Sequence, residues 1–207
     1  VFVETWYDQS INGNDASQAT STARPKIYDG TTGALVKENG KVAVDFDGTD
    51  DELTHNISGL ENGNFAYLDV LKSNDGQSIL HSSTTSNAKW VLISVTSTNP
   101  ALSDGFNTTY QSYFKNGVAA LQSGATRTDL KNAIFDNTQN LSFINGTTDG
   151  LATNSLCLGR YYPAGVYHYD GLLQESILWT SNKSSVRTSI EENVGDYFTQ
   201  NTPLLDT

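Results

Sequence analysis

Apolar and polar residues alternate with period two through most of this chain, and turn-forming residues interrupt the alternation about every 8 to 12 positions. That pattern predicts short strands, each with one buried face. Phe2 and Trp6 share a face in an opening strand that runs into the turn Asn12-Gly13-Asn14-Asp15. Arg24 to Tyr28 reads as an edge strand entered through Pro25. Val42, Val44 and Phe46 fall on one face of a strand from Lys41 to Phe46. Phe65 to Leu71 alternates strongly, and Gln77 to His81 is shorter. Lys89 to Val95 is the most apolar run and reads as a central strand. Tyr110 to Lys115, Val118 to Leu121, Ala133 to Phe135, Leu141 to Ile144, Leu156 to Gly159 and Leu172 to Trp179 follow. Asn-Gly pairs at 39–40, 116–117 and 145–146 predict tight hairpin turns, because both residues tolerate positive φ.

One segment departs from the alternation. Between Ser185 and Phe198, the residues Val186, Ile190, Val194 and Tyr197 recur at helical spacing. This predicts one amphipathic C-terminal helix, capped by Ser184 or Ser185 and packed on the edge of the strands. Glu191 and Glu192 fall on its solvent side.

Composition narrows the picture. At 207 residues the chain reads as one domain with enough length for a core of its own. No apolar run reaches membrane length, so no membrane insertion is expected. The net charge is −11, and the 12 Lys and Arg are scattered. A nucleic-acid backbone needs clustered cations, so nucleic acid is excluded as a partner. The only cysteine, Cys157, lies in an apolar strand and reads as a small core residue. Asn-x-Ser/Thr sequons begin at Asn56, Asn107, Asn140, Asn145 and Asn182. The chain starts inside a strand without Met, as expected for part of a longer protein.

Several stretches together look familiar. Thr5-Trp6-Tyr7-Asp8-Gln9-Ser10 with Gly13-Asn14-Asp15-Ala16, then Pro25-Lys26-Ile27, then Ala43 to Asp51, and last Gly171 to Leu178 before the terminal helix, occur in that order. This series resembles concanavalin A-like, laminin-G-type jelly-roll domains of bacterial and bacteriophage surface proteins, and of a fungal arabinofuranosidase family. Ile11 stands where that family usually has Gly. The resemblance implies an all-β fold, a concanavalin A-like jelly-roll sandwich of two antiparallel sheets with one C-terminal helix. Residues 1–207 would form one laminin-G-like domain of a longer extracellular, cell-surface or virion protein. The fold hosts lectins, hydrolases and structural modules, so function has to be argued from the residues.

Three kinds of chemistry suit residues of this chain. Glycoside hydrolysis needs two carboxylates across a cleft. The chain lacks the glucanase run Glu-x-Asp-x-x-Glu, and Asp69 and Glu175 are the pair that would have to meet on one sheet face. The plainer reading has Asp69 facing solvent and Glu175 in a structural hydrogen bond. Asp47, Asp50 and Asp51 in one turn, and Asp8, Asn12, Asn14 and Asp15 in another, offer the hard oxygens that calcium takes. The alternative is that they cap their own turns. His55, His81 and His168 form no zinc pattern. Finally, the segment 160–170 gathers Arg160, Tyr161, Tyr162, Tyr167, His168 and Tyr169. Sugars stack on aromatic rings while planar polar groups fix their hydroxyls, so these six are the expected ligand-binding residues. The competing view places Tyr167 and Tyr169 over the core.

The resulting expectation is a non-catalytic carbohydrate-binding or adhesion module, with a glycan or cell-surface polysaccharide as partner and calcium as the candidate cofactor. A structural or decoration module, packed on copies of itself or on neighbouring virion proteins, is the alternative. A glycoside hydrolase is the third reading.

Overall fold

The alternation does form strands. The computed structural model describes residues 1–60, 63–74, 78–83, 90–94, 112–121, 125–147, 155–160 and 167–199. In chain order the strands are β1 (Thr5–Trp6), β2 (Ala16–Ser17), β3 (Tyr28–Asp29), β4 (Ala34–Leu35), β5 (Lys37–Glu38), β6 (Lys41–Val42), β7 (Val44–Asp47), β8 (Leu53–Asn56), β9 (Asn64–Ser73), β10 (Ser78–Ser83), β11 (Trp90–Ser94), β12 (Ser112–Lys115), β13 (Val118–Ala119), β14 (Asn140–Thr147), β15 (Ser155–Leu158) and β16 (Asp170–Trp179). Two α-helices accompany them, α1 (Arg127–Ile134) and α2 (Arg187–Thr199).

The strands build two six-stranded sheets, ordered β1-β2-β8-β15-β10-β11 and β13-β12-β14-β9-β16-β7, with two short ribbons, β3-β4 and β5-β6. Neighbouring strands run antiparallel throughout. Strand β9 explains the layering. Phe65, Tyr67 and Leu71 point into a core shared with Leu53, Leu80 and Leu156 of the other sheet. Ala66, Leu68 and Val70 point the opposite way, into a second cluster closed by Phe198 of α2. Successive side chains of a strand face opposite sides, so a strand with apolar residues on both faces must be covered twice. The order of layers is therefore sheet, sheet, helix.

Helix α2 covers the outer face of its sheet rather than an edge. Ile190, Val194 and Phe198, four residues apart, make the contact. Val186 and Tyr197, expected on that stripe, are 49% and 59% exposed. Glu191, expected in solvent, is buried and ion-paired with Arg187 one turn earlier. The Arg187 guanidinium in turn lies 3.8 Å above the Phe114 ring.

Other expectations also change. Ala133 to Phe135 is not a strand. Thr126 and Asp129 form a capping box, each side chain accepting from the other's backbone N–H, and helix α1 follows. The Asn-Gly pairs at 39–40 and 116–117 do turn hairpins, with φ of 46° and 77°, and 50° and 79°. Asn145-Gly146 does not. It continues β14 opposite Ala66 and Phe65, and the buried Asn145 accepts the backbone N–H of Lys183 at 3.0 Å. The chain breaks between β6 and β7, where Ala43 donates to the Val36 carbonyl at 3.0 Å. Ala43 is buried in consequence, and Val42 turns outward. Lys89 to Val95 was read as central, yet β11 ends its sheet among the described residues. Asn140 and Asn145 are buried, which closes those two sequons in the folded protein, while Asn56 and Asn182 are exposed. Asn107 lies outside the described residues. No helix among the described residues is long and apolar enough to cross a membrane.

If Phe198 holds α2 to the sheet, Phe198→Ala will lower unfolding free energy by about 3 kcal/mol or more. Tyr197→Ala, one residue away on the exposed side, will cost about 1 kcal/mol or less. Urea denaturation of both variants measures the difference.

Candidate functional site

The aromatic segment is only partly described, and Tyr161 and Tyr162 lie outside the described residues. Its flanks are committed to the fold. Arg160 pairs with Glu52 at 3.1 Å, and its carbonyl accepts from the Ser82 hydroxyl at 2.6 Å. Tyr169 is fully buried, edge-on to Phe46, with its hydroxyl donating to the Leu172 carbonyl at 3.1 Å. This corrects its assignment as a ligand-binding residue, since a ring packed in the core offers no face to a sugar. Tyr167 is half-buried against the same core, and His168 is half-buried beside it. The packing leaves no room at Gly159, where φ is +92° and a Cβ would stand 2.7 Å from the Phe46 ring.

Asp69 and Glu175 do not meet. Asp69 pairs with Ser176, and Glu175 pairs with Val70, because one extra residue enters β16 between Leu173 and Glu175. Cross-strand partners share a face, so Asp69 looks toward the other sheet and Glu175 toward the α2 side. Nor does Asp69 face solvent. It is fully buried, and its Oδ2 lies 2.8 Å from Nε2 of His81, which is 1% exposed. A similar irregularity serves His81. Leu80 is unpaired between Ile79 and His81 in the ladder with β11, which brings both Leu80 and His81 to the core side. Tyr67 lies 4.5 Å from the His81 ring, centroid to centroid. An Asp-oriented His is the base of a nucleophilic triad. Here it is sealed from substrate and ties β9 of one sheet to β10 of the other. Cys157 is buried as expected, and burial pushes its thiol well up, which makes it unreactive.

The acidic turns are mostly self-capping. Asp8 accepts from Ser10 N–H at 2.7 Å and Asn14 N–H at 2.8 Å, and Asp15 accepts from Asp8 N–H at 2.8 Å. These bonds hold the Asp8 carboxyl below its usual value. Asp47 accepts from Thr49 N–H at 2.8 Å, and Asp51 from Asp47 N–H at 3.0 Å. The carboxylates of Asp47, Asp50 and Asp51 nevertheless lie within 4.8 Å of one another. Burial and these neighbours lift Asp51 to about 6. Three carboxylates fit part of a calcium shell of roughly six to eight oxygens.

A groove of about 300 Å³ lies at the β7 end of the second sheet. Its lining includes Trp6 and Ile27, Tyr197 and Phe198 of α2, and Lys41 and Val42 of the β5-β6 hairpin. Glu175 is its one carboxylate. Burial raises the Glu175 carboxyl above its usual value, with a smaller push from Asp69. No cation lies within ion-pair distance of Glu175 among the described residues. The Lys41 ammonium instead sits 3.9 Å over the Tyr197 ring. A half-buried carboxylate without a counter-ion among the described residues, in a groove lined in part by aromatic side chains, fits a binding site. Sequence reading passed over it because Trp6, Lys41, Glu175 and Tyr197 are far apart along the chain. The Trp6-Tyr7-Asp8 motif was its nearest signal.

Comparison with protein-family models, with curated proteins and with solved structures found no match.

Two groups set opposite pH dependences. Burial and the neighbouring His81 depress His55 from 6.5 to about 4. Its folded form therefore lacks a proton that the unfolded form binds, and stability falls as pH drops from 6.5 toward 4. Asp51 is raised from 3.8 to about 6. Its folded form keeps a proton that the unfolded form releases, so stability rises as pH drops through that window. Asp51→Asn will thus raise the urea midpoint at pH 8 and leave it near the parent value at pH 4. If the turn binds calcium, millimolar calcium at pH 8 will stabilise the parent protein and not this variant.

Proposed function

We propose that this chain is a non-catalytic carbohydrate-binding module, of the concanavalin A-like jelly-roll type, acting in adhesion at a cell or virion surface. The observation that carries the reading is the groove, whose lining brings aromatic side chains together with the Glu175 carboxylate, a group with no counter-ion among the described residues. Sugar C–H faces stack on aromatic rings, and a carboxylate accepts hydroxyl protons in charge-assisted hydrogen bonds. Trp6 and the exposed Tyr197 are the aromatic side chains offered to a sugar, and Glu175 is the acceptor. The motif series from Trp6 to Leu178 supports the jelly-roll assignment. Hydrolysis would need a second carboxylate facing Glu175, and the groove lining supplies none.

A structural role in an assembly is the second reading, favoured by the exposed apolar side chains of Phe2, Tyr7 and Ile11. Sedimentation velocity at high protein concentration weighs it. A strictly monomeric chain would count against packing on copies of itself.

A glycan array probed with the intact chain tests the binding reading. Retention of at least one glycan is expected, together with a loss of about tenfold or more in affinity for Trp6→Ala and Glu175→Ala. No retention on any glycan, with or without calcium, would sink the reading.

A further inference from the structure

The floor of the groove is built by an irregularity in the ladder. Between β9 and β16, Leu173 pairs with Leu71 and Glu175 with Val70, so Gln174 is one residue too many. The extra residue lets Leu173 enter the inter-sheet core and puts Glu175 on the opposite face. Gln174 is itself buried, and its amide is fully used. Its Nε2 donates to the Glu38 carbonyl at 3.0 Å and the Lys41 carbonyl at 3.1 Å, and its Oε1 accepts from Gln139. The β5-β6 hairpin it grips has two residues in each strand. A ribbon that short does not hold its shape in water by itself. Gln174, the Lys72–Glu38 ion pair at 3.1 Å and the Asn39–Gln139 bond therefore fix the wall that carries Lys41 and Val42.

Among the described residues Glu175 is half-buried without a counter-ion, and Lys41 is placed over Tyr197. An anionic ligand would bring like charge to a carboxylate already short of solvent. The chain's net charge of −11 adds long-range repulsion of polyanions. A hydroxyl group meets neither penalty and donates to Glu175.

We propose that the Gln174–Glu175 bulge sets what the groove accepts. It selects neutral, polyhydroxyl glycans over acidic ones, with Glu175 the selecting carboxylate and Gln174 the residue that positions the β5-β6 hairpin. The proposal rests on the glycan-binding reading of the groove.

Calorimetric titration of the intact chain with neutral glucan and arabinan oligosaccharides and with uronate-bearing oligosaccharides tests the selectivity. The neutral series is expected to bind, and the uronate series to bind about tenfold more weakly or worse. Glu175→Gln should narrow the gap between neutral and uronate ligands. Gln174→Glu keeps the side-chain size but removes both donors. It should speed amide hydrogen exchange across residues 37–42 about tenfold or more and weaken neutral-glycan binding while the chain remains folded. Equal binding of uronate and neutral ligands by the parent protein would overturn the selectivity. Unchanged exchange in Gln174→Glu would overturn the role of Gln174, whichever ligand binds. Binding by no oligosaccharide of any charge would instead defeat the glycan reading itself, while the exchange measurement still judges the clamp.

Discussion

Strand β9 must be buried on both faces, and the rest of the structure follows from that requirement. Its inward residues Phe65, Tyr67 and Leu71 call for a second sheet, and its outward residues Ala66, Leu68 and Val70 call for α2. The inward face carries one ionisable exception, Asp69, held by His81 across the interface. A buried pair of this kind contributes little net stability, because desolvation offsets the attraction. Removing one partner would leave the other unpaired in the core. The contact therefore fixes which strands face each other more than it strengthens the whole.

Bulges decide where the polar groups go. The extra residue at Leu80 brings His81 inward to Asp69, and the extra residue at Gln174 sends Glu175 outward to the groove. A slip of one residue moves a side chain to the opposite face of a sheet. Two acids that alternation alone would leave undecided, Asp69 and Glu175, thus end on opposite sides of one sheet. One becomes a sealed structural contact and the other an accessible acceptor. The separation disfavours paired-carboxylate chemistry and favours binding.

Much of this architecture was legible in the chain. Apolar runs marked β9, β14 and β16 as strands, although the strong alternation expected of Phe65 to Leu71 proved to be burial on both faces, and Asn-Gly marked two of the hairpins; both signals are local. The failures were local signals overruled by distant partners. Asn145-Gly146 has turn chemistry, yet pairing with Ala66 and Phe65 keeps it in a strand. Ala133 to Phe135 has strand-like composition, yet the capping box at Thr126 and Asp129 starts a helix upstream. Tyr169 has the composition of a sugar-binding loop, yet Gly159 and Phe46 draw it into the core. The groove was invisible for the same reason. Its walls come from the first strand, a hairpin, a bulge and the last helix, and only the fold brings them together.

The central claim is that the functional surface is this groove rather than the aromatic segment around residues 160–169. Chemical-shift mapping on the isotopically labelled chain, titrated with the tightest neutral oligosaccharide from an array, tests it most directly. The account predicts perturbations centred on the Trp6 indole, Lys41, Glu175 and Tyr197, with the buried Tyr169 unmoved. Perturbations confined to residues 160–169, with Trp6 and Glu175 unchanged, would contradict it.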